Sequence, residues 1–399
     1  MARKRSSSGG SSARPISIVL ILALLIVIAV VYGGNTVIKM VGDMLGIDTS
    51  ALTGEVSGPT SGSQPEVSSE QTSSSGSFYT VYFTSPSPDS KDATSGGIEM
   101  NLIDLIDTAQ SSIDLAVFEF NLQDVADALI AAHQRGVNVR IVYDDEHTED
   151  DPQMRQMIKA GIPATPDERS AFMHNKFFVF DHQIVWTGSW NVSTNDTFRN
   201  NNNAIVIRSS KLAENYTNEF EEMFGGQFGP KSPANTPNPS LTLDGVQIGS
   251  YFAPEDNPMT YLVKAVSDAT TSIHFMAFSF TEESLGWVMR ESAAAGVEVV
   301  GIFEQRGADT EASECPPMLA AGLDVRLDGN SYTFHHKVVI IDGKIVAMGS
   351  FNFSANATDS NDENLLIIHD AGLAAQYEAE FQRRWAEAVK PVGGNCKKE

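Results

Sequence analysis

The sequence predicts an α/β protein built by tandem duplication, with two α/β lobes packed around a pseudo-two-fold axis. Two observations indicate this fold class. Strings of residues recur at a nearly constant offset along the 399-residue chain. Within each copy, short apolar runs alternate with segments of helical periodicity. Such alternation of strands and helices is typical of layered α/β sheets.

The repeats show the order of elements within each lobe. The string "SSIDLAVFEF" at residues 111–120 recurs as "TSIHFMAFSF" at 271–280, and "AAHQRGVNVRIVYD" at 131–144 recurs as "ESAAAGVEVVGIFE" at 291–304. The run "IDLAVFEF" suits a buried strand, whereas "LQDVADALIAAHQRG" has helical spacing and ends in Gly. Each lobe therefore reads strand, helix, strand, helix, hairpin, helix. The expected boundaries are lobe 1 at 78–228, a Pro- and Asn-rich linker at 229–244, lobe 2 at 245–390 and a C-terminal tail at 391–399.

The N-terminal region has the pattern of a membrane anchor. Residues 1–15 are basic, and an apolar run follows at 16–34 without a convincing small-x-small cleavage site. The run approaches the roughly 20 residues that span a bilayer, so we expect an uncleaved, single-pass transmembrane helix. The positive segment should stay cytoplasmic and the lobes should lie outside the cell membrane. Residues 35–77 are expected to form a linker or stalk, which is disordered over the Ser/Gly/Pro-rich residues 54–77. The earlier stretch "NTVIKMVGDMLGI" is either part of this linker or a short amphipathic helix at the membrane surface.

Charge and cysteine content narrow the function classes. The chain carries a formal charge of −24, which weighs against a dedicated nucleic-acid binder because nonspecific affinity for phosphates comes from Lys and Arg. Cys315 and Cys396 could form one disulfide, or they could remain two buried thiols. Neither lies in a Cys-x-x-Cys pattern and no His-Glu-x-x-His array is present, so we expect no metal and no cofactor.

One pattern is written twice with identical spacing. "HNKFFVFDHQIVWTGSWN" spans residues 174–191 and "HHKVVIIDGKIVAMGSFN" spans residues 335–352. The runs "FFVF" and "VVII" suit strands buried on both faces, and the Asp-containing segments after them suit hairpin turns. With two-residue loops at 182–183 and 343–344, the first hairpin would place His174 opposite Asn191 and Lys176 opposite Ser189. The second would pair the matching residues, which are His335 with Asn352 and Lys337 with Ser350.

Such a hairpin gathers an imidazole, an ammonium, a hydroxyl and an amide at one end. Lys, Ser and Asn can donate to phosphoryl oxygens, and a His can attack phosphorus or protonate a leaving oxygen near neutral pH. A single His-x-Lys would mean little. Two copies at matched spacing favour catalysis over a structural role.

The double motif resembles the phospholipase D superfamily, whose signature His-x-Lys-x4-Asp-x6-Gly-Ser-x-Asn is matched in full by both halves. The resemblance covers nearly all of residues 78–390. It implies a tandem duplicated phospholipase D-like fold, one active site at the lobe interface, no metal and a covalent phosphohistidine. It also implies that the motif histidine in "FHHK" is His335, because His335 keeps the spacing to Lys337 and His336 faces the other way.

The same resemblance implies roles for the motif residues. His174 is the expected nucleophile, and His335 is the expected general acid and then base. The phosphoryl oxygens would be held by Lys176, Lys337, Asn191 and Asn352, with a weaker contribution from Ser189 and Ser350. Asp181 and Asp342 are expected to orient structure or the partner lobe's histidine. The family often places a Glu after the motif. Glu363 fits this position in the second half, but the first half has Asn202, so the two histidines are supported unequally.

Two enzyme functions fit this sequence. The first is a phospholipase D-type phosphodiesterase that hydrolyses a phospholipid head group to leave phosphatidic acid, and tethering to the membrane would keep it near this substrate. The alternative is a metal-independent endonuclease acting on DNA or RNA, similar to the small bacterial endonucleases of the superfamily. A degenerate binding protein is disfavoured by the intact double motif. Glycosylation sequons fall on Asn191 and Asn352 themselves, which predicts a prokaryotic cell-surface protein.

Overall fold

The computed structural model describes residues 73–75, 78–86, 92–392 and 395–397. All of these belong to one compact unit, Glu66–Glu399. The predicted basic segment 1–15, the predicted anchor 16–34 and most of the predicted stalk lie outside the described residues. Among the residues that are described, no helix combines the length and apolarity needed to cross a membrane.

Lobe 1 contains one eight-stranded sheet with helices packed against it. Its strands are β1 (Ser73–Ser75), β2 (Tyr79–Phe83), β3 (Ser112–Val117), β4 (Asn138–Tyr143), β5 (Ala164–Pro166), β6 (Phe177–Phe180), β7 (Ile184–Gly188) and β8 (Asn203–Arg208). Its helices are α1 (Glu99–Thr108), α2 (Gln123–Gln134), α3 (Asp145–Thr148), α4 (Pro152–Lys159), α5 (Thr194–Phe198) and α6 (Ser210–Phe224), and a 3-10 turn follows at Gly229–Lys231.

Lobe 2 repeats this arrangement. Its strands are β9 (Ser240–Leu243), β10 (Val246–Ala253), β11 (Ser272–Ala277), β12 (Glu298–Phe303), β13 (Asp324–Leu327), β14 (Lys337–Ile341), β15 (Ile345–Gly349) and β16 (Glu363–Ile368). Its helices are α7 (Pro258–Ser267), α8 (Glu283–Ala294), α9 (Cys315–Ala320), α10 (Ala355–Asp359) and α11 (Ala371–Glu387).

The two sheets have the same strand order, which confirms the mixed α/β architecture predicted from the repeats. Lobe 1 runs β1-β2-β8-β7-β6-β3-β4-β5, and lobe 2 runs β9-β10-β16-β15-β14-β11-β12-β13. In each sheet the strands joined by crossover helices are parallel, whereas the motif hairpin and its neighbours are antiparallel. Strands β6 and β14 are buried along their whole length, as their continuous apolar runs predict.

Three apolar clusters hold the sheets and helices together. One cluster lies wholly in lobe 1 and a second wholly in lobe 2. The third is shared, because it joins lobe 1 residues such as Phe177 and Tyr216 to lobe 2 residues such as Val338 and Tyr377. Burial of apolar side chains is the main favourable term in folding. The shared cluster therefore stabilises the junction that carries both motif hairpins.

The register of the motif hairpins differs by one residue from the prediction. Phe180 pairs with Ile184 and Ile341 pairs with Ile345, so each loop has three residues rather than two. Asp181 and His182 both have positive φ angles, 52° and 53°. The amide of the next residue then closes a four-residue turn, 2.9 Å from Phe180 O. The left-handed pair makes the turn begin one residue earlier than in the predicted two-residue loop. The predicted pairing of Lys176 opposite Ser189 is therefore wrong.

The motif aspartates fasten these turns to the neighbouring segment. Asp181 accepts hydrogen bonds from the backbone amides of residues 110–112, at 2.6–3.1 Å. Asp342 does the same with residues 270–272, at 2.7–3.0 Å. Both carboxylates therefore join the hairpin tip to the start of β3 or β11. The alternative prediction, that they orient the partner lobe's histidine, is wrong.

Several predicted boundaries shift at the edges of the sheets. The backbone of Ser73–Ser75 pairs antiparallel with β2, although it lies in the predicted stalk 35–77. Ser240–Leu243, at the end of the predicted linker 229–244, pairs with β10. In the tail, Cys396 forms a disulfide with Cys315, with Cα atoms 6.1 Å apart, and this resolves the two alternatives for the thiols.

We expect Asp342→Ala to lower the free energy of unfolding by about 1 kcal/mol, because three backbone amides lose a charged acceptor that water only partly replaces. Burial opposes ionisation, but the amides of Thr271 and Ser272 hold the pKa of Asp342 below its usual range. Its stabilisation is therefore present above the unfolded pKa of about 4 and lost as pH falls through the lower folded value. Urea unfolding at pH 7 and at pH 3 measures the difference.

The matched control is Asp359→Ala, which removes an exposed carboxylate of the same lobe. Its unfolding curve should overlay that of the unmodified protein. If Asp342→Ala proved as stable as the unmodified protein at pH 7, the fastening role of the hairpin aspartates would be refuted.

Candidate active site

The imidazole of His174 is held by a carboxylate from the other lobe. His174 lies three residues before β6, and Glu363 is the first residue of β16. Nδ1 of His174 is 2.7 Å from Oε2 of Glu363, and both side chains are buried. When Glu363 is ionised, its carboxylate favours the His174 tautomer with the proton on Nδ1, which leaves Nε2 with a free lone pair.

The imidazole of His335 has a different partner in lobe 1. Nδ1 of His335 is 3.0 Å from Oδ1 of Asn202, the residue just before β8, and 3.5 Å from Oδ2 of Asp196. An amide oxygen therefore occupies the place that Glu363 occupies in lobe 2. His335 and Asn202 are both buried.

Backbone hydrogen bonds between the lobes place the two histidines. The amide of His174 donates to Asp362 O at 3.0 Å, and the amide of His335 donates to Asn201 O at 2.9 Å. Each histidine is thus joined to the other lobe through both its backbone and its ring. The structure brings the two predicted histidines to one junction.

The two motif lysines lie beside the histidines. Each ammonium donates to the carbonyl oxygen of the histidine two residues earlier, at 2.6 Å for Lys176 and 2.8 Å for Lys337. Each also lies above an aromatic ring, with Lys176 Nζ 4.7 Å from the centroid of Phe118 and Lys337 Nζ 4.6 Å from that of Phe278. An ammonium has three donors, so each lysine keeps donors for a further acceptor.

Burial shifts the pKa of each of these groups, and neighbouring charges strengthen or oppose the shift. Burial, and then the charges of Lys176 and Lys337, hold the pKa of His174 well below its usual range, and the same causes lower the pKa of His335. Burial lowers the pKa of Lys176 to about 8 and also lowers that of Lys337. Burial raises the pKa of Glu363 to about 8, against the charge of Lys176. A bound anion would oppose the lowering of the histidine and lysine pKa values, because it favours the protonated form of each group.

The motif serines are used within the protein. Ser189 Oγ donates to Asn202 Oδ1 at 2.9 Å and accepts from the amide of Asn203 at 3.1 Å. Ser350 Oγ accepts from the amide of Asn364 at 3.0 Å. The hydroxyl hydrogen of Ser189 is therefore committed to the residue that holds His335. This differs from the expectation that the serines donate to phosphoryl oxygens.

The glycine before each motif serine allows that segment of chain to lie close to the neighbouring strand. Gly188 has a φ of 153°, and a Cβ there would lie 2.3 Å from the carbonyl oxygen of Asn203. The chain can approach the neighbouring strand this closely because Gly has no side chain. The amides of Ser189 and Trp190 then both donate to Asn203 O, at 3.0 and 3.3 Å.

Asn191 and Asn352 end the two motifs and are buried. The side-chain oxygen of each has no hydrogen-bond partner in the structure. The amide of Asn191 donates to Asp196 Oδ2 at 2.9 Å, which fixes its backbone. An unpaired buried polar atom is costly unless a ligand or water satisfies it. The side-chain oxygens of Asn191 and Asn352 are therefore available to accept a hydrogen bond from a ligand or water.

His336 points away from the junction, as the spacing predicted. Its Nε2 is 3.3 Å from Glu380 Oε1 and its Nδ1 is 3.0 Å from Asn203 Nδ2. The side chain is fully buried. His336 therefore belongs to the layer behind the site.

Sequence reasoning missed several neighbours of the site. Alignment of the two halves showed that Asn202 stands where lobe 2 has Glu363, but it did not show that Asn202 is the partner of His335. Asp196 has no acidic counterpart in lobe 2, where Ala357 stands, so no repeat signal could reveal it. Phe118 and Phe278 recur in the repeats "LAVFEF" and "FMAFSF", so their shared role beneath the lysines could have been inferred.

The donor set of this site suits an anion. Within the described ranges, no group of three or more His, Cys, Asp or Glu side chains is placed to hold a metal ion. The junction contains two imidazoles with low pKa values, two ammonium groups and two side-chain amides whose oxygens have no partner. Such groups can supply a nucleophile, a proton donor and hydrogen bonds to phosphoryl oxygens.

The fold and the site together define a class of duplicated α/β proteins with paired His-x-Lys motifs at the junction of two lobes. A family model described as "Cardiolipin synthase, PLD-like domain" matches residues 102–224 and 262–385, which are more than half of the chain. The chain belongs to the phospholipase D superfamily.

Individual relatives match parts of the chain. A mitochondrial cardiolipin hydrolase of Xenopus tropicalis is 33% identical over 132 residues, which are 33% of this chain and 63% of that protein. A phospholipase D of Rickettsia bellii is 28% identical over 150 residues, covering 36% of this chain and 75% of that protein. The crystal structure of phosphatidylserine synthase from Haemophilus influenzae covers 73% of this chain and 85% of that one, with a TM-score of 0.57 and 15% identity, and it supports the fold alone.

Removal of one lysine charge should change the titration of both site histidines. We expect Lys337→Met to raise the pKa of His174 and of His335, because the charge of Lys337 lowers both. Each imidazole will then gain its proton at a higher pH than in the unmodified protein. The imidazole ¹⁵N chemical shifts of labelled protein, followed against pH, measure the change.

Lys344→Met is the matched control, since it removes an exposed ammonium at the tip of the same hairpin. It should leave both titrations unchanged. Unchanged or lowered histidine pKa values in Lys337→Met would contradict the electrostatic description of the junction.

Proposed function

We propose that this protein is a phospholipase D-type phosphodiesterase, which hydrolyses a phospholipid head group at one site shared by both lobes. The observation that carries the proposal is the crossed support of the two imidazoles. His174 is held by Glu363 of lobe 2, and His335 is held by Asn202 of lobe 1. Neither lobe alone contains both a motif histidine and the residue that holds its imidazole.

The reaction proceeds in two displacements at phosphorus. Nε2 of His174 attacks and forms a P–N bond while the P–O bond to the head group breaks, and His335 gives its proton to the leaving oxygen. Water then attacks phosphorus, His335 takes a proton from that water, and the P–N bond breaks to release phosphatidate. Atoms and charges balance without a cofactor.

The unequal partners of the imidazoles support these roles. A phosphorylated imidazole is positively charged, and that charge favours ionisation of Glu363, whose carboxylate then stabilises the adduct on His174. His335 must gain and lose a proton in each turnover, and its amide partner Asn202 stabilises the charged form less strongly. The lysine charges that lower the pKa of His335 are offset when the anionic phosphodiester binds, so the bound state favours its protonation.

The remaining motif residues would hold the phosphoryl oxygens. Lys176 and Lys337 each keep ammonium donors beyond the one used on a backbone carbonyl. Asn191 and Asn352 would donate through Nδ2, while their side-chain oxygens, which have no partner in the protein, would accept from water or a substrate hydroxyl. Together with the lysines, these donors would stabilise the charge that develops in each transition state.

A lipid substrate fits the charge of the chain and its relatives. The formal charge of −24 disfavours long polyanions, and two relatives are named cardiolipin hydrolase and phospholipase D. The expected anchor at 16–34 would keep the lobes at a membrane surface outside the cell. Buried Asn191 and Asn352 leave no room for a glycan, which agrees with a prokaryotic location.

Substitution of either motif histidine should abolish turnover. We expect His174→Ala and His335→Ala each to lower kcat by about a thousandfold or more on a natural phospholipid, because one nucleophile and one acid serve a single site. Headgroup release from vesicles measures the rate. The controls are His182→Ala and His369→Ala, which remove exposed histidines of the two lobes and should keep full activity.

The two variants should differ with an activated substrate. With a p-nitrophenyl phosphodiester, whose leaving group needs little protonation, His335→Ala should still form an adduct at His174. Mass spectrometry of a digest kept at alkaline pH, where phosphohistidine survives, locates it. An adduct at His335 instead would reverse the roles, and about half of the wild-type rate in either variant would refute the shared site.

Substrate preference is measured by assaying purified protein of residues 66–399 on phospholipid vesicles and on single-stranded DNA in parallel. We expect headgroup release to exceed DNA cleavage, and we expect EDTA to leave the rate unchanged because no step uses a metal. Faster cleavage of DNA would support the endonuclease alternative. Strong inhibition by EDTA would contradict the mechanism.

A further inference from the structure

Lobe 1 has a buried carboxylate beside the imidazole of His335, at a position where lobe 2 has an alanine. Asp196 lies in the short helix α5, and only 2% of it is exposed. Its Oδ2 is 3.5 Å from Nδ1 of His335. At the spacing that relates the two motif histidines, Asp196 corresponds to Ala357 in helix α10. Lobe 2 in turn has Glu363 where lobe 1 has Asn202. Each lobe therefore supplies a carboxylate to the other lobe's imidazole, but from a different element.

Equivalent asparagines support the carboxylate in the two lobes. In lobe 2 the side-chain amide of Asn361 donates to Oε1 of Glu363 at 3.5 Å, and in lobe 1 that of the equivalent Asn200 donates to Oδ1 of Asp196. The oxygens of these asparagines match as well, since each accepts a backbone amide of the opposite lobe at 3.1 Å. The surroundings of the carboxylate are thus alike, although it comes from a strand in lobe 2 and from a helix in lobe 1.

Asp196 also fixes two other residues of the site. Its Oδ2 accepts the backbone amide of Asn191 at 2.9 Å, and its backbone carbonyl accepts Nδ2 of Asn202 at 3.3 Å. The second contact orients the Asn202 amide, whose Oδ1 is 3.0 Å from Nδ1 of His335. One residue therefore sets the backbone of a proposed phosphate ligand and the orientation of the amide that holds the imidazole.

The charges of the two carboxylates act in the same direction. Burial lowers the pKa of Lys176 and of Lys337, and the charges of Glu363 and Asp196 oppose this lowering. At 3.5 Å from Nδ1, the carboxylate of Asp196 stabilises a protonated imidazole less than a carboxylate in direct contact would. An intermediate stabilisation suits an imidazole that must gain and lose its proton in every turnover.

We propose that Asp196 is a positioning residue for the proton transfer, and that it provides the charge which Asn202 cannot provide to His335. Asp196 acts through the imidazole and does not touch the substrate. The proton passes from His335 to the leaving oxygen as the P–O bond breaks, while the carboxylate stays ionised. This inference rests on the proposed function and adds to it a residue that lies outside both motifs.

The test compares first-turnover rates on two substrates in Asp196→Asn, which keeps the shape of the side chain and an oxygen for the amide of Asn191. Release of the head group from a short-chain phospholipid should slow about tenfold or more, because the leaving oxygen needs a proton. The burst of p-nitrophenol from a p-nitrophenyl phosphodiester should stay within about twofold of that of the unmodified protein, since this leaving group needs little protonation. Asp359→Asn, which alters an exposed carboxylate of the equivalent helix in lobe 2, should change neither rate.

A second pair of variants tests the exchange of positions. Asp196→Ala should slow head-group release at least as much as Asp196→Asn. Asp196→Ala combined with Asn202→Glu reproduces the arrangement of lobe 2, and it should recover most of the lost rate. An unchanged rate on the phospholipid or equal slowing on both substrates in Asp196→Asn, or no recovery in the double variant, would overturn the inference. If the unmodified protein released neither head group nor p-nitrophenol, the proposed function would fail instead.

Discussion

The hydrogen bond between each motif histidine and the opposite lobe is the constraint on which the site depends. His174 and Glu363 are separated by almost half of the chain, yet their side chains are 2.7 Å apart. The contact requires that β16 begin beside the segment leading into β6, and that β8 begin beside the segment leading into β14. The shared apolar cluster between the sheets makes this crossing favourable, because it buries residues from both copies together.

Duplication supplies two similar halves, and a few substitutions make them unequal. The exchange of Glu363 for Asn202 gives the imidazoles different partners. The layer behind the site differs as well. In lobe 2 the carboxylate of Glu380 contacts His336 and Arg384, and these partners lower its pKa although burial would raise it. In lobe 1 burial and neighbouring carboxylates raise the pKa of the equivalent Glu219. Unequal environments of this kind allow one fold to give two similar groups different tasks.

Local pattern predicted much of the fold. Repeats showed that the two halves share one order of elements, continuous apolar runs predicted the buried strands, and alternation along a strand placed His336 behind the site. The hairpin register was missed because the left-handed pair is Asp181-His182 in lobe 1 and Asp342-Gly343 in lobe 2, whereas the prediction began each loop one residue later. Asp-Gly is favoured at the centre of such a turn, so lobe 2 carried a signal for the correct register, and Asp-His in lobe 1 carried a weaker one.

The predicted site residues meet at one junction, but their contacts were less predictable. Ser189 holds Asn202, and Asp181 fastens a turn, although both belong to the motif. Their partners lie on other strands, so tertiary structure decides which hydrogen bonds form. Asp196 was invisible to the repeat because lobe 2 has an alanine there.

The disulfide links the redox chemistry of the cell compartment to the position of one loop. Cys315 follows directly on the loop between β12 and α9, and Cys396 ties the end of this loop to the C-terminal tail. Lys397 adds an ion pair to Asp309 of the same loop, at 3.3 Å. Protein produced in a reducing cytosol would lack the covalent tie. Its loop would then sample more conformations, so preparations from oxidising and reducing hosts would not be interchangeable samples of one enzyme.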